Sequence, residues 1–344
     1  MLSIEYVPMC YYDAIIIGFD GNDGIRHNIV IDGGDYKSLK FCYTDRLKGR
    51  LQSIFEAGET IDLWIISHID NDHIGGLVNF INDKDFFSAN CDKLECVWMN
   101  YGGKGDYNVQ KMGEIGYNQG KELRDLLLEC SVDFMSGVIE GLKYEMAGAR
   151  LTVIAPDKPA MDQYKKWWSQ KEFLDAVSTS AGQIAAKECD YDKAFSDFDE
   201  NNYYEDNSVT NRSSIAMVLT YHNKNYLFSA DSCSSILKEG LISHGFVQEG
   251  KVHLAQMHMP HHGSCRNTSK ELLDIIDCDR YVITGDGRNR YHLPNKEMIA
   301  RLLKTNTKNF TLFFPNHTPI IDCIFKGEGV ADITLSTDNK YFFD

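Results

Sequence analysis

Short apolar runs, each closed by a turn, set the rhythm of this chain. Ala14 to Phe19 and Asn28 to Ile31 read as strands, the second ending in "IDGGD". Helical spacing over Arg46 to Ala57 leads into "IDLWIIS", an apolar run of buried-strand type. "LECVWMN" (94–100) predicts a further strand, "GKELRDLLLEC" (120–130) a helix, and "ARLTVIAPD" (149–157) a strand stopped by Pro156. Later, "SSIAMVLTYHNKNYLFSADS" predicts a hairpin turning at His222-Asn223-Lys224-Asn225, and "VHLAQMHMPHHGS" (252–264) another strand region. Helix "SKELLDII", strand "RYVITGD", helix "NKEMIARLLKT" and strand "NFTLFF" follow. Strand blocks alternate with helices in both halves, and no internal repeat or linker is visible. The expectation is an α/β fold of sheets covered by helices on their outer faces: a single αββα sandwich over 1–344 with one insertion.

The insertion spans about 158–210. It opens with "YKKWWSQKEFLDAV", a helical stretch carrying Trp167 and Trp168, and turns acidic afterwards. Glu188, Asp190, Asp192, Asp197, Asp199, Glu200, Glu205 and Asp206 crowd among tyrosines and phenylalanines. Long loops of this kind are usually solvated surface. The competing reading is a lid, or a docking surface for a protein partner.

Charge narrows the partners. With 35 lysines and arginines against 50 acids, the 344-residue chain carries a formal −15. That disfavours a broad grip on long duplex DNA, while small, single-stranded or cyclic nucleotides make fewer phosphate contacts. No apolar stretch reaches the length of a membrane span, and the N-terminal stretch lacks the basic and small-residue features of a secretion signal. The ten cysteines are scattered without a C-x-x-C pair, which fits buried thiols in a reducing compartment. These features together predict a cytoplasmic protein.

Chemistry concentrates at the ends of apolar runs. "SHIDNDHIGG" places His68, Asp70, Asp72 and His73 directly after a strand, with Gly75-Gly76 allowing close backbone approach. Asp231 follows "YLFSA", His261 and His262 follow "MHMP", and His292 follows "ITGDGRNRY". A single histidine at a strand end is usually structural. Four ligand-type residues in six positions, joined by a later aspartate and a His-His pair, point to a divalent metal, Zn or Mn, as one or two ions. Adjacent Asp72 and His73 would point apart on a strand and converge in a turn leaving one. Asp231 is placed to bridge two ions. Asp32 reads as a turn-former beside the site, His317 as structural, and Ser213, Ser214 and Ser264 as secondary hydrogen-bond donors.

These motifs, in this order, resemble the metallo-β-lactamase superfamily. "SHIDNDHIGG" is similar to its HxHxDH motif in the HxDxDHxGG form of the ComEC-type C-terminal hydrolase domain and its stand-alone relatives. "YYDAIIIGF" with "NIVIDGG" resembles the opening hairpin and first motif. "NRSSIAMVLTYHNKNYLFSADS" resembles the stretch ending in the bridging aspartate, "MPHHGS" the PHHGS motif, and "GDGRNRYHLPNKEMIARL" the last motif. The resemblance spans roughly 8–305 and implies two mixed sheets with outer helices and metal-dependent hydrolysis, phosphodiesterase or nuclease above all.

Departures from that pattern shape the expected site. Asp70 stands where the second histidine of the motif is usual, and no histidine falls between 74 and 210. The resemblance therefore implies one well-furnished position, made by Asp72, His73, Asp231 and one of His261 or His262, and a weaker one at His68 and Asp70. Asp70 or Asp72 would orient water or take its proton, and His292 or the remaining member of the His-His pair would protonate the leaving oxygen. Thioester, lactone or phosphorylcholine-ester hydrolysis is the alternative chemistry. A metal-bound adaptor docking a protein through 158–210 is the non-enzymatic alternative. Because no expected ligand lies in 188–206, replacing that segment is expected to spare metal binding.

Overall fold

A computed structural model describes residues 1–10, 12–102, 117–174, 189–306, 308–329 and 333–344. Glu188 and the end of the expected "YKKWWSQKEFLDAV" helix lie outside the described residues. Two large sheets organise the rest. The first runs, in spatial order, Lys340–Phe343, Leu2–Tyr6, Ala14–Asp20, Arg26–Asp32, Leu63–Ile66, Val97–Met99 and Phe134–Met135. The second runs Ile333–Ser336, Phe310–Phe313, Arg280–Val282, Gln256–His258, Lys224–Phe228, Ala216–Tyr221, Ala149–Ala155 and Lys143–Met146. Each is antiparallel in one half and parallel in the other.

The period-two pattern explains the layering. In Ala14–Asp20, Ile15, Ile17 and Phe19 face the second sheet, joining Leu151, Val153, Met217, Leu219, Tyr226 and Phe228 in the central layer. Ala14 and Ile16 face the other way, against Leu51, Leu77, Val78 and Leu123 of the outer helices. In Lys224–Phe228 the alternation is the same: Tyr226 and Phe228 point inward, Leu227 outward to Leu237, Met298 and Ile299. Helix, sheet, sheet, helix is the result, a mixed α/β fold as expected. No described helix is long and apolar enough to cross a membrane.

Two local expectations change. The hairpin turns on His222-Asn223 alone, both with positive φ (47° and 60°), and Lys224 already pairs with Tyr221. This is the left-handed geometry that tight two-residue hairpins require. The segment after "HID" forms a helix, Asn71–Asn82, whose buried stripe includes Ile74, Leu77, Val78 and Ile81. Asp72 and His73 therefore converge from the first turn of a helix. The chain leaves the parallel strands Arg26–Asp32, Leu63–Ile66, Lys224–Phe228, Gln256–His258 and Arg280–Val282 at one edge of the sandwich, where rigid sheets present functional loops.

Candidate metal centre

Asp231 is the focus of that edge. It is 3% exposed, and its Oδ2 lies 3.7 Å from His68 Nε2, 3.6 Å from His73 Nε2 and 3.4 Å from His261 Nε2. Its Oδ1 lies 3.8 Å from His262 Nε2. Asp70 Oδ2 stands 3.7 Å from His68 Nε2, and Asp72 reaches His262 Nε2 at 3.5 Å and His73 Nε2 at 3.9 Å. The structure thus gathers His68, Asp70, Asp72, His73, Asp231, His261 and His262. His261 and His262 divide the work, turning to opposite oxygens of Asp231. His261 Nε2 faces the same Asp231 oxygen, Oδ2, as His68 and His73.

A metal is tested by what its absence leaves unpaired. The Nε2 atoms of His68, His73 and His262 and Oδ1 of Asp231 are buried without a hydrogen-bond partner. Buried polar groups are rarely left so. Four ligand-capable groups recur among these residues: His68, His73 and Asp231; Asp72, His73 and His262; Asp13, Asp32 and His73; Asp13, Asp231 and His262. Imidazole and carboxylate donors converging this way fit a divalent cation.

The other ring nitrogens are backed from behind. His73 Nδ1 meets Asp32 Oδ2 at 2.8 Å, and Asp32 also accepts from Ser67 N and Oγ. Asp32, at φ 58°, is thus more than a turn-former. His68 Nδ1 lies 3.0 Å from Ser67 Oγ. His262 Nδ1 lies 3.3 Å from Asp13 Oδ1 and 3.1 Å from Thr284 Oγ1. His261 Nδ1 lies 3.1 Å from Asn267 Oδ1 and 3.5 Å from Asp206 Oδ2. Such outer contacts fix tautomer and ring direction.

Electrostatics follow from this interleaving of charges. Burial opposes charge on His73, His262 and His261. The surrounding carboxylates outweigh it and raise all three above the ordinary imidazole value: chiefly Asp231 for His73, Asp13 and Asp231 for His262, and Asp231 and Asp206 for His261. Burial likewise works against Asp72, yet His73 and His262 hold its carboxyl at about 2. Asp231 and Asp13 lie well below the usual carboxylate range for the same reason. Backbone strain collects here too: Ala230, His261 and His262 adopt positive φ of 45°, 48° and 54°, conformations that persist only where surrounding contacts impose them.

Three further residues of the sequence reading make other contacts. His292 belongs to none of the ligand-capable groups; its backbone carbonyl accepts from Tyr191 Oη. Ser264 is 4% exposed and its Oγ accepts from Arg266 N, a turn contact. His317 pairs with Asp322 at 2.8 Å. Two site residues were missed. Asp13 precedes a strand run with no spacing to mark it. Asp206 hides at the end of the acidic stretch; its Oδ2 lies 3.5 Å from His261 Nδ1, so 188–206 reaches the site although no expected ligand lies in it.

Residues 21–145 match the family model described as Metallo-beta-lactamase superfamily, a span that includes Asp32, His68, Asp70, Asp72 and His73. None of the curated proteins compared matches the chain. Among solved structures, it is similar to a new diphosphatase from the PhnP family (11% identity, 100% of this chain and 98% of that one, TM-score 0.43). It is also similar to the metallo-beta-lactamase fold protein YhfI from Bacillus subtilis (9% identity, 99% and 98%, TM-score 0.44). A third is Zn(2+)-bound PqqB from Methylobacterium extorquens (8% identity, 95% and 86%, TM-score 0.40).

Proposed function

We propose that this chain is a divalent-metal hydrolase of the metallo-β-lactamase superfamily that cleaves phosphodiester bonds. The observation that carries the reading is Asp231, whose two carboxylate oxygens face different histidines while the Nε2 atoms of His68, His73 and His262 are buried without a hydrogen-bond partner. One ion would be held by His68, Asp70, His261 and Asp231, the other by Asp72, His73, His262 and Asp231. Zinc or manganese would suit them: zinc favours imidazole, and each added carboxylate moves a site towards manganese. Bound there, a divalent cation lowers the pKa of water towards neutrality and neutralises phosphoryl oxygens.

The protein's own groups supply the rest. Asp70 and Asp72 form the rim, their side chains 36% and 31% exposed, so an incoming phosphodiester meets them first. Thr210 Oγ1 donates to Asp70 Oδ2 at 3.3 Å, fixing the carboxylate that orients the attacking water and accepts its proton. Phosphorus is preferred over a carboxylic or thioester carbon because the motifs "SHIDNDHIGG" and "MPHHGS" resemble the ComEC-type hydrolases. The net charge of −15 favours small or single-stranded substrates over long duplex DNA.

The test is a substrate panel with added Mn²⁺ or Zn²⁺: an aryl phosphodiester, single- and double-stranded nucleic acid, lactones and thioesters. Hydrolysis of phosphodiesters, lost in Asp72→Ala, is expected. Turnover confined to lactones or thioesters would replace the substrate class, and no turnover of any ester by metal-loaded protein would remove the enzymatic reading.

A further inference from the structure

The acidic stretch is built into the fold as a strap. Asp190 Oδ1 and Oδ2 accept from the backbone N–H groups of Lys296 and Glu297 at 3.1 and 3.0 Å, capping the helix Lys296–Thr305. Tyr191 Oη donates to Pro294 O at 3.0 Å. Arg301, 1% exposed, donates from Nε to Glu200 O and from Nη2 to Asn202 O at 3.2 and 2.7 Å. Tyr203 Oη donates to Arg266 O at 2.9 Å, and Glu205 Oε1 accepts from Ser235 N at 2.7 Å. From 190 to 205 the strap is thus tied to three other segments of the second half of the chain.

It ends at the metal centre. Asp206 is fixed through its backbone, N donating to Arg266 O at 3.0 Å and O accepting from Cys233 Sγ at 3.2 Å. Its Oδ1 accepts from Ser208 N at 2.9 Å and its Oδ2 from Asn211 Nδ2 at 2.6 Å. That same Oδ2 lies 3.5 Å from His261 Nδ1, while His261 Nε2 faces Asp231. Asn211 Nδ2 lies 3.4 Å from the same ring nitrogen, beside the Asn267 oxygen.

We propose that the strap 189–206 is a clamp that holds His261 as a metal ligand, with Asp206 as the positioning residue. Two oxygens behind Nδ1 place the proton there and leave the Nε2 lone pair towards Asp231. Asn267 alone would supply direction; Asp206 adds negative charge, which makes the ring a stronger donor. The strap thereby compensates for the motif histidine that the sequence lacks between 74 and 210. This inference rests on the two-position reading of the centre.

The experiment uses the full chain and zinc alone, in competition with a chromophoric chelator, together with nitrogen-15 spectra of the histidine rings in metal-free protein. Asp206→Asn, which preserves size and the oxygen facing Ser208 N, is expected to weaken one of two zinc ions by roughly 10- to 100-fold and leave the other unchanged. The His261 ring signals should move in the same variant, and Asp206→Glu, restoring the charge, should recover part of the affinity. Unchanged zinc affinities with unchanged His261 signals in Asp206→Asn overturn the clamp. If wild-type protein takes up no zinc, it is the functional reading that fails, and the ring signals of metal-free Asp206→Asn still decide the clamp. Should Asp206→Asn not fold, Asp206→Glu against wild type provides the comparison: a shifted His261 signal supports the clamp, an unmoved one overturns it.

Discussion

At the scale of single residues, the centre is a set of imidazoles with carboxylates on both sides. His73, His262 and His261 all have raised pKa values because Asp231, Asp32, Asp13 and Asp206 outweigh burial. A cation entering at Nε2 must displace protons held more tightly than on free imidazole. The sign follows: protons compete with metal, so affinity is greatest at high pH and falls as pH drops, beginning above the ordinary imidazole value of about 6.5. Calorimetric titration in buffers of different ionisation enthalpy should show net proton release at pH 7, shrinking towards pH 9. Zinc affinity that stays constant over this range would mean these rings are not its ligands. Residues were legible where chemistry and spacing coincide, as in His68, Asp70, Asp72 and His73. Asp13 was not, because a lone aspartate before "AIIIGF" looks like any turn residue until the second sheet brings His258 to 3.4 Å and His262 to 3.3 Å.

At the scale of elements, the glycine pair of "DHIGG" shows why the motif has its form. A methyl group on Gly75 would lie 2.3 Å from Tyr36 N and 2.4 Å from Asp35 C, and one on Gly76 would lie 2.6 Å from Gly33 Cα. The helix Asn71–Asn82 is thus seated against the loop after Arg26–Asp32, so that His73, two residues upstream of Gly75, meets Asp32. Gly75→Ala should push that helix outward and cost roughly 1–3 kcal/mol by overpacking, with weakened zinc binding; chemical denaturation and chelator competition measure the two. Unaltered stability and affinity would show that the close approach does not position the helix. Most strands were legible because their apolar runs are long enough to alternate. Leu2–Tyr6 and Lys340–Phe343 were not, since each is short, and Lys340–Phe343 gains its strand partner only from the opposite end of the chain. The helix at Asn71 was hidden by its own chemistry, with polar ligands occupying the first turn where an apolar stripe would have announced it.

At the scale of the whole molecule, neither half of the chain owns the site. The first half supplies Asp13, Asp32, His68, Asp70, Asp72 and His73, the second Asp206, Asp231, His261 and His262, and the edge shared by the two sheets brings them together. Asp231 joins the halves, since its oxygens face histidines from both. The most direct measurement is therefore the zinc content of saturated, gel-filtered protein by elemental mass spectrometry, in the wild type and three variants. About two ions per chain are expected in the wild type, about one each in His68→Ala and His262→Ala, and close to none in Asp231→Ala. A full complement of zinc in folded Asp231→Ala, or none in the wild type, would contradict the account.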